Sequence, residues 1–303
     1  MATSRFHPDL RRVAPVVPRG GLGPRTLPVV RALAGLQGRR AAGDVELLTL
    51  PSGAGLRILR TAPDQQPSPG PALLWIHGGG YVLGSAAMDD QLCRRFRDEL
   101  GATVASVDYR LAPENPYPAA LDDCWAALAV LAGLPGVDPG RVAIGGASAG
   151  GGLAAALALR ARDLGGVSPV LQLLVYPMLD DRSAAMPADR SYRLWNPRSN
   201  RFGWTSYLGD ADPQVAVPAR CPDLSGVAPA WIGVGSLDLF YDEDISYAER
   251  LRLAGVPCDL QIVPGAFHGF DLLLPKAAVS QAFFASLCAS LRNAFGRSPG
   301  GKF

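Results

Sequence analysis

The chain has 303 residues, 48% of them apolar and 18% charged, with a net charge of +2. That composition supports a large core and excludes global disorder, and so small a net charge provides no strong field for nucleic acid or an anionic membrane. No apolar run approaches the roughly 20 residues of a membrane-spanning helix, and the N-terminus lacks the apolar stretch of a secretory signal, so a cytoplasmic chain with no membrane span is expected.

Cys93, Cys124, Cys221, Cys258 and Cys288 are scattered and form no C-x-x-C pair, which argues against a disulfide framework or a zinc site. Residues 1–43 are rich in Arg, Pro and Gly, with a weak helical pattern near 27–36. Two strands are expected at 45–50 and 56–60, followed by a loop at 64–71. From there the pattern alternates. Strands are expected at 72–76, 103–107, 141–144, 171–175, 231–234 and 259–263. Helices are expected at 87–100, 118–132, 149–162, 244–254 and 275–295. Strand and helix in alternation predict βαβ units and a mostly parallel sheet covered on both faces. Residues 176–229 break this rhythm with a polar, aromatic excursion, a length that is usually functional in a compact fold.

Gly146-Ala147-Ser148-Ala149-Gly150 lies between an expected strand and an expected helix, the setting of a nucleophile elbow. A serine hydroxyl needs a base. Of the three histidines, His7 lies in the irregular N-terminus, and His268 follows the last strand at a carboxyl edge, where open α/β sheets bind ligands. Asp238 follows the strand at 231–234 and suits the carboxylate that orients an imidazole. Asp242, Glu243 and Asp244 are its rivals, and they also suit the first turn of the next helix. The order Ser148, Asp238, His268 is that of α/β hydrolases. His77-Gly78-Gly79-Gly80 follows the strand at 72–76, and its glycines leave backbone N–H groups unobstructed. Gly79 and Gly80, with the amide of Ala149, are the expected oxyanion hole. His77 then ties down the loop, with a role as alternative base still open.

With these residues in place, the chain resembles the hormone-sensitive-lipase-like branch of the α/β hydrolases over about residues 73–270. The resemblance rests on His77–Gly80, on Asp108-Tyr-Arg-Leu-Ala-Pro-Glu114 through Pro116-Tyr-Pro118 and Asp122-Asp123, on the elbow, on Tyr176-Pro177, on Asp238 with Asp242-Glu243, and on His268-Gly-Phe270. Arg110 and Glu114 are expected to pair. The resemblance implies an α/β-hydrolase fold with an eight-stranded, mostly parallel sheet. It implies a single domain with a helical cap built from about 1–43 and about 180–225, in which Trp195, Phe202, Trp204 and Tyr207, with Tyr81 below, line a pocket or pack the cap down. It implies a serine carboxylesterase for short- to medium-chain esters, without metal or organic cofactor, and in many members a homodimer. An amidase or N-deacetylase using the same trio, and a non-catalytic receptor on the same scaffold, are the alternatives. One departure stands out. The family places Asp, Glu or Thr before the serine, and this chain has Ala147, so a supporting contact beneath the elbow is expected to be lost.

Overall fold

The computed structural model describes residues 5–35, 43–61 and 69–296. Parts of three expected features, in residues 1–4, 36–42 and 62–68, lie outside that range. One sheet of eight strands runs in the order β1-β2-β4-β3-β5-β6-β7-β8. Its strands are β1 (Glu46–Thr49), β2 (Gly55–Leu59), β3 (Gly70–Ile76), β4 (Thr103–Asp108), β5 (Val137–Ala147), β6 (Gln172–Val175), β7 (Ala230–Gly235) and β8 (Cys258–Val263). The β1–β2 and β2–β4 pairs are antiparallel, and every later pair is parallel. β3 is buried along its whole length, as befits a central parallel strand that must be apolar on both faces.

The helices are α1 (Leu27–Gly35), α2 (Asp90–Leu100), α3 (Ala119–Ala132), α4 (Ala149–Leu164), α5 (Pro197–Leu208), α6 (Pro213–Ala216), α7 (Tyr241–Leu253), α8 (Phe270–Leu273) and α9 (Ala278–Phe295). α3, α4 and α7 bury one apolar cluster against the sheet. α2 and α9 bury a second on the other face, centred on Trp75, Phe96, Phe283 and Leu291. Three expected helices are corrected at their starts. The first three residues of the helix expected from 87 belong to a 3₁₀ turn, Ala86–Asp89, and α2 follows it. α7 begins three residues earlier than expected, with three acids in its first turn. The long closing helix begins at Ala278, because the chain after β8 first makes the separate turn of α8.

The connection from β6 to β7 carries α5 and α6. Each starts with proline just inside a side-chain cap: Asn196 accepts from Ser199 N at 2.9 Å, and Asp212 accepts from Gln214 N at 2.9 Å. The N-terminal segment lies against this connection and the sheet edge. His7 N donates to Gly265 O, and Phe6 meets Phe267 edge-on at 6.1 Å.

Candidate active site

β5 ends at Ala147, and α4 begins at Ala149, which leaves Ser148 alone at the apex with φ 57° and ψ −120°. Such a backbone costs a non-glycine residue about 1–3 kcal/mol and must be imposed by its surroundings. The constraint is visible at Gly150, where a β-carbon would run into the carbonyls of Ile76 and His77. Backbone bonds hold the apex: Ser148 N donates to Val175 O at 2.9 Å, and Ser148 O accepts from Met178 N at 2.9 Å. Ala147 packs into the apolar cluster with Val175 and Tyr176, so apolar contact stands where the family's polar contact would be.

His268 occupies the turn between β8 and α8, followed by Gly269 in the left-handed region. Its Nε2 lies 3.1 Å from Ser148 Oγ and its Nδ1 2.8 Å from Asp238 Oδ2. A carboxylate only accepts, so Nδ1 carries the hydrogen and Nε2 presents its lone pair to the serine hydroxyl. Asp238 is oriented in turn by Phe240 N, which donates to Oδ1 at 3.0 Å. Tyr176 and Phe240 flank the imidazole in edge contacts at 4.8 and 5.2 Å. The Tyr176 hydroxyl also donates to Asp271 at 2.9 Å, which straps the histidine turn to the end of β6.

The His77–Gly80 loop leaves β3 beside this elbow. A β-carbon on Gly78 would lie 3.4 Å from Ser148 Cβ. Gly79 and Gly80 have φ of 120° and 61°, and their N–H groups donate to no protein acceptor among the described residues. Ala149 opens α4, where the first N–H groups lack intrahelical acceptors. The structure thus brings Ser148, His268, Asp238 and the glycine loop to one sheet edge. His77 holds that loop. Its Nδ1 donates to Gly78 O at 2.7 Å, its ring stacks on Tyr109 at 4.2 Å, and burial lowers its pKa, which keeps it neutral. His7 stays on the N-terminal segment, bound to Asp9 N.

One other expectation comes out differently. Arg110 does not pair with Glu114. Asp123 is fully buried on the inner side of α3 and takes the guanidinium through both oxygens, at 2.9 and 3.0 Å, while the exposed Glu114 turns to Arg31 at 2.8 Å. Asp242, Glu243 and Asp244 stand in the first turn of α7, as expected, and burial of the last two adds a further feature. Both are buried, and desolvation raises their pKa values well above normal. Glu243 Oε1 accepts from Leu179 N at 2.7 Å and Asp180 N at 3.1 Å, and so anchors the loop that follows β6. Of the aromatic residues, Tyr81, Trp204 and Tyr207 pack on each other, with Tyr81 and Tyr207 stacked at 4.1 Å, while Phe202 packs with Leu27 and Val82. Trp195 lies on Gly80, where a β-carbon would fall within its indole. The Tyr176–Asp271 strap, the Arg110–Asp123 pair and the inward turn of Glu243 are not legible from spacing; an acid next to an acid, as in Asp122-Asp123 and Glu243-Asp244, is the only local sign of a buried carboxylate.

The α/β-hydrolase fold family matches residues 73–272, and the chain belongs to it, as its resemblance to the hormone-sensitive-lipase-like branch implied. Several of its relatives in that family are named as esterases. Carboxylic ester hydrolase LipN of Mycobacterium tuberculosis is 40% identical over 82% of this chain and 70% of its own length, and esterase LipI of the same organism is 39% identical over 69% and 68%. Among solved structures, esterase LipW from Mycobacterium marinum superposes with a TM-score of 0.87 at 36% identity, covering 98% of each chain. A bacterial heroin esterase reaches the same TM-score at 37% identity, over 98% of this chain and 100% of its own. No helix among the described residues is long and apolar enough to cross a membrane.

Proposed function

We propose that the protein is a serine carboxylesterase that cleaves short- to medium-chain esters through an acyl-serine intermediate. The contact that carries this reading is the Ser148 Oγ to His268 Nε2 approach of 3.1 Å, continued to Asp238 at 2.8 Å. Ser148 attacks the ester carbonyl while Nε2 takes its proton, and Asp238 stabilises the imidazolium. The N–H groups of Gly79, Gly80 and Ala149 hold the oxyanion. The tetrahedral intermediate then collapses, the C–O bond to the alcohol breaks, and Nε2 returns the proton to the departing oxygen. Water, deprotonated by the same nitrogen, hydrolyses the acyl-serine and restores the hydroxyl.

Residues 1–43 and 180–225 are read as one cap over this site, within a single hydrolase domain. The cytoplasmic location expected above and a homodimer, which the family resemblance implies, belong to the same proposal. A panel of p-nitrophenyl esters of increasing acyl length, run beside Ser148→Ala, tests the activity. The expected result is turnover that falls by about 10⁴-fold or more in the variant. Turnover no higher in the wild type than in the variant would sink the esterase reading. Matched amides in the same assay should turn over far more slowly, and the reverse would favour the amidase alternative.

A further inference from the structure

Four non-glycine residues among those described have φ in the left-handed region: Tyr81, Ser148, Tyr176 and Leu194. Ser148 and Tyr176 both touch His268. The elbow explains the first. Nothing in the acyl transfer proposed above uses the second, and backbone strain at a site calls for a functional reason. Tyr176 is the residue just past β6 and is buried. Its N–H donates to Gly233 O at 2.7 Å, which prolongs the β6–β7 ladder by one rung, and its φ is 34°.

The two rings that flank the imidazole are each tied to a carboxylate. Phe240, in edge contact at 5.2 Å, donates its N–H to Asp238. Tyr176, in edge contact at 4.8 Å, donates its hydroxyl to Asp271 Oδ1 at 2.9 Å. Asp271 stands three residues after His268, in the first turn of α8. The Tyr176 ring is therefore held at both ends, by Gly233 through its backbone and by Asp271 through its hydroxyl, with the imidazole against its side. His268 has to carry one proton between two oxygens, from Ser148 Oγ to the departing alcohol. A ring held only at Nδ1 can pivot about that bond, and a misplacement of about 1 Å can cost about 10²-fold in rate.

We propose that Tyr176 and Asp271 are positioning residues for His268: their hydrogen bond fixes the Tyr176 ring against the imidazole, so that Nε2 stays aligned when its partner changes from the serine to the departing oxygen. The inference rests on the esterase reading above. Tyr176 acts through the edge of its ring, and Asp271 acts only through Tyr176.

The test compares two acetates on the full chain, with thermal melts alongside. p-Nitrophenolate departs without a proton, so acylation by its acetate needs His268 only as a base. Ethoxide needs the proton, so acylation by ethyl acetate needs both alignments. Tyr176→Phe keeps the ring and loses the hydroxyl. Asp271→Ala loses the acceptor, and Asp271→Asn keeps an oxygen that the phenol can use. Tyr176→Phe and Asp271→Ala should each lower kcat/KM by a few fold on p-nitrophenyl acetate and by about tenfold more on ethyl acetate. The double variant should lose no more than either alone, as two ends of one bond do. Asp271→Asn should return both rates to within about threefold of the wild type. Equal losses on the two acetates, losses that multiply in the double variant, no loss in folded variants, or an Asp271→Asn as impaired as Asp271→Ala would each overturn the positioning role while the esterase reading stands. Absence of wild-type turnover on every ester would overturn both.

Discussion

The edge of the sheet and the stretch that brings Trp195 onto Gly80 reach the same few ångströms by different means. Ser148, Asp238 and His268 each stand just past the end of a parallel strand. Strand pairing fixes where those ends lie, so three residues 120 positions apart at the extremes converge without any long side chain having to search. In that stretch, placement depends on side chains that bind backbone or one another: Arg193 on Ala14, Asn196 on Arg19, and Trp195 on Asn200 and then Ser183. The first region tolerates wide sequence change so long as the strands remain. The second depends on individual polar groups and should fail one bond at a time.

The sharpest way to break this contrast is Asp238→Asn. The amide keeps the size of the carboxylate and its contact with Phe240 N, yet it can donate to Nδ1 and so favours the wrong imidazole tautomer. A loss of about 10⁴-fold in kcat is expected with the melting temperature almost unchanged. Stopped-flow hydrolysis of p-nitrophenyl acetate, paired with calorimetry, measures both. A loss of only a few fold would mean that orientation by Asp238 is not what readies His268, and that the edge geometry alone suffices.

Legibility in the sequence follows the same division. The sheet, its order of chemistry and the trio could be read because strand-to-helix turns carry short signatures such as Gly146–Gly150 and because apolar runs mark the strands. The start of the last helix could not be placed, since α8 and α9 are both helical and only the four residues 274–277 separate them. Arg110 has two acids within reach in sequence, Glu114 and Asp123. Which one it binds depends on the inward face of α3, a fact of packing rather than of spacing. Leu194 carries no sign at all, because a leucine in the left-handed region is set by its neighbours rather than by its own preference.

Asn200→Ala sharpens the other side of the comparison. Asn200 is fully buried and uses both ends of its amide, so its removal strands the Trp195 indole N–H and takes a donor from the Ser183 hydroxyl, which keeps its own bond to Asp180 O. A destabilisation of about 1–3 kcal/mol is expected, the usual cost of leaving buried polar groups unpaired. Urea unfolding measures it. Because the strand ends do not depend on this side chain, kcat on the smallest ester should stay within a few fold of wild type. An equal collapse of kcat would show that the Trp195 stretch and the sheet edge are one cooperative unit.

The effect that shows only as pH is varied concerns Asp244, which belongs to the body yet is held by neither device. It is fully buried, and neither carboxyl oxygen has a protein hydrogen-bond partner among the described residues. Burial, with the charges of Glu243 and Asp238 added, raises its pKa well above the ordinary carboxylate value. In the unfolded chain the same group ionises near pH 4. Above that pH the unfolded state has released a proton that the folded state still holds. Folding stability therefore falls as pH rises, by about 1.4 kcal/mol per unit, until the folded group also ionises. Glu243, raised chiefly by burial, and Asp89, pushed up to about 6 by burial, add slopes of the same sign. Asp244→Asn removes one of these contributions. Its melting temperature should therefore gain on wild type progressively from pH 5 to pH 8, by about 2–4 °C for each kcal/mol that the slope accumulates before the folded group ionises. A difference that stays constant or shrinks across that range would mean that Asp244 is already charged in the folded protein and that a compensating partner holds it.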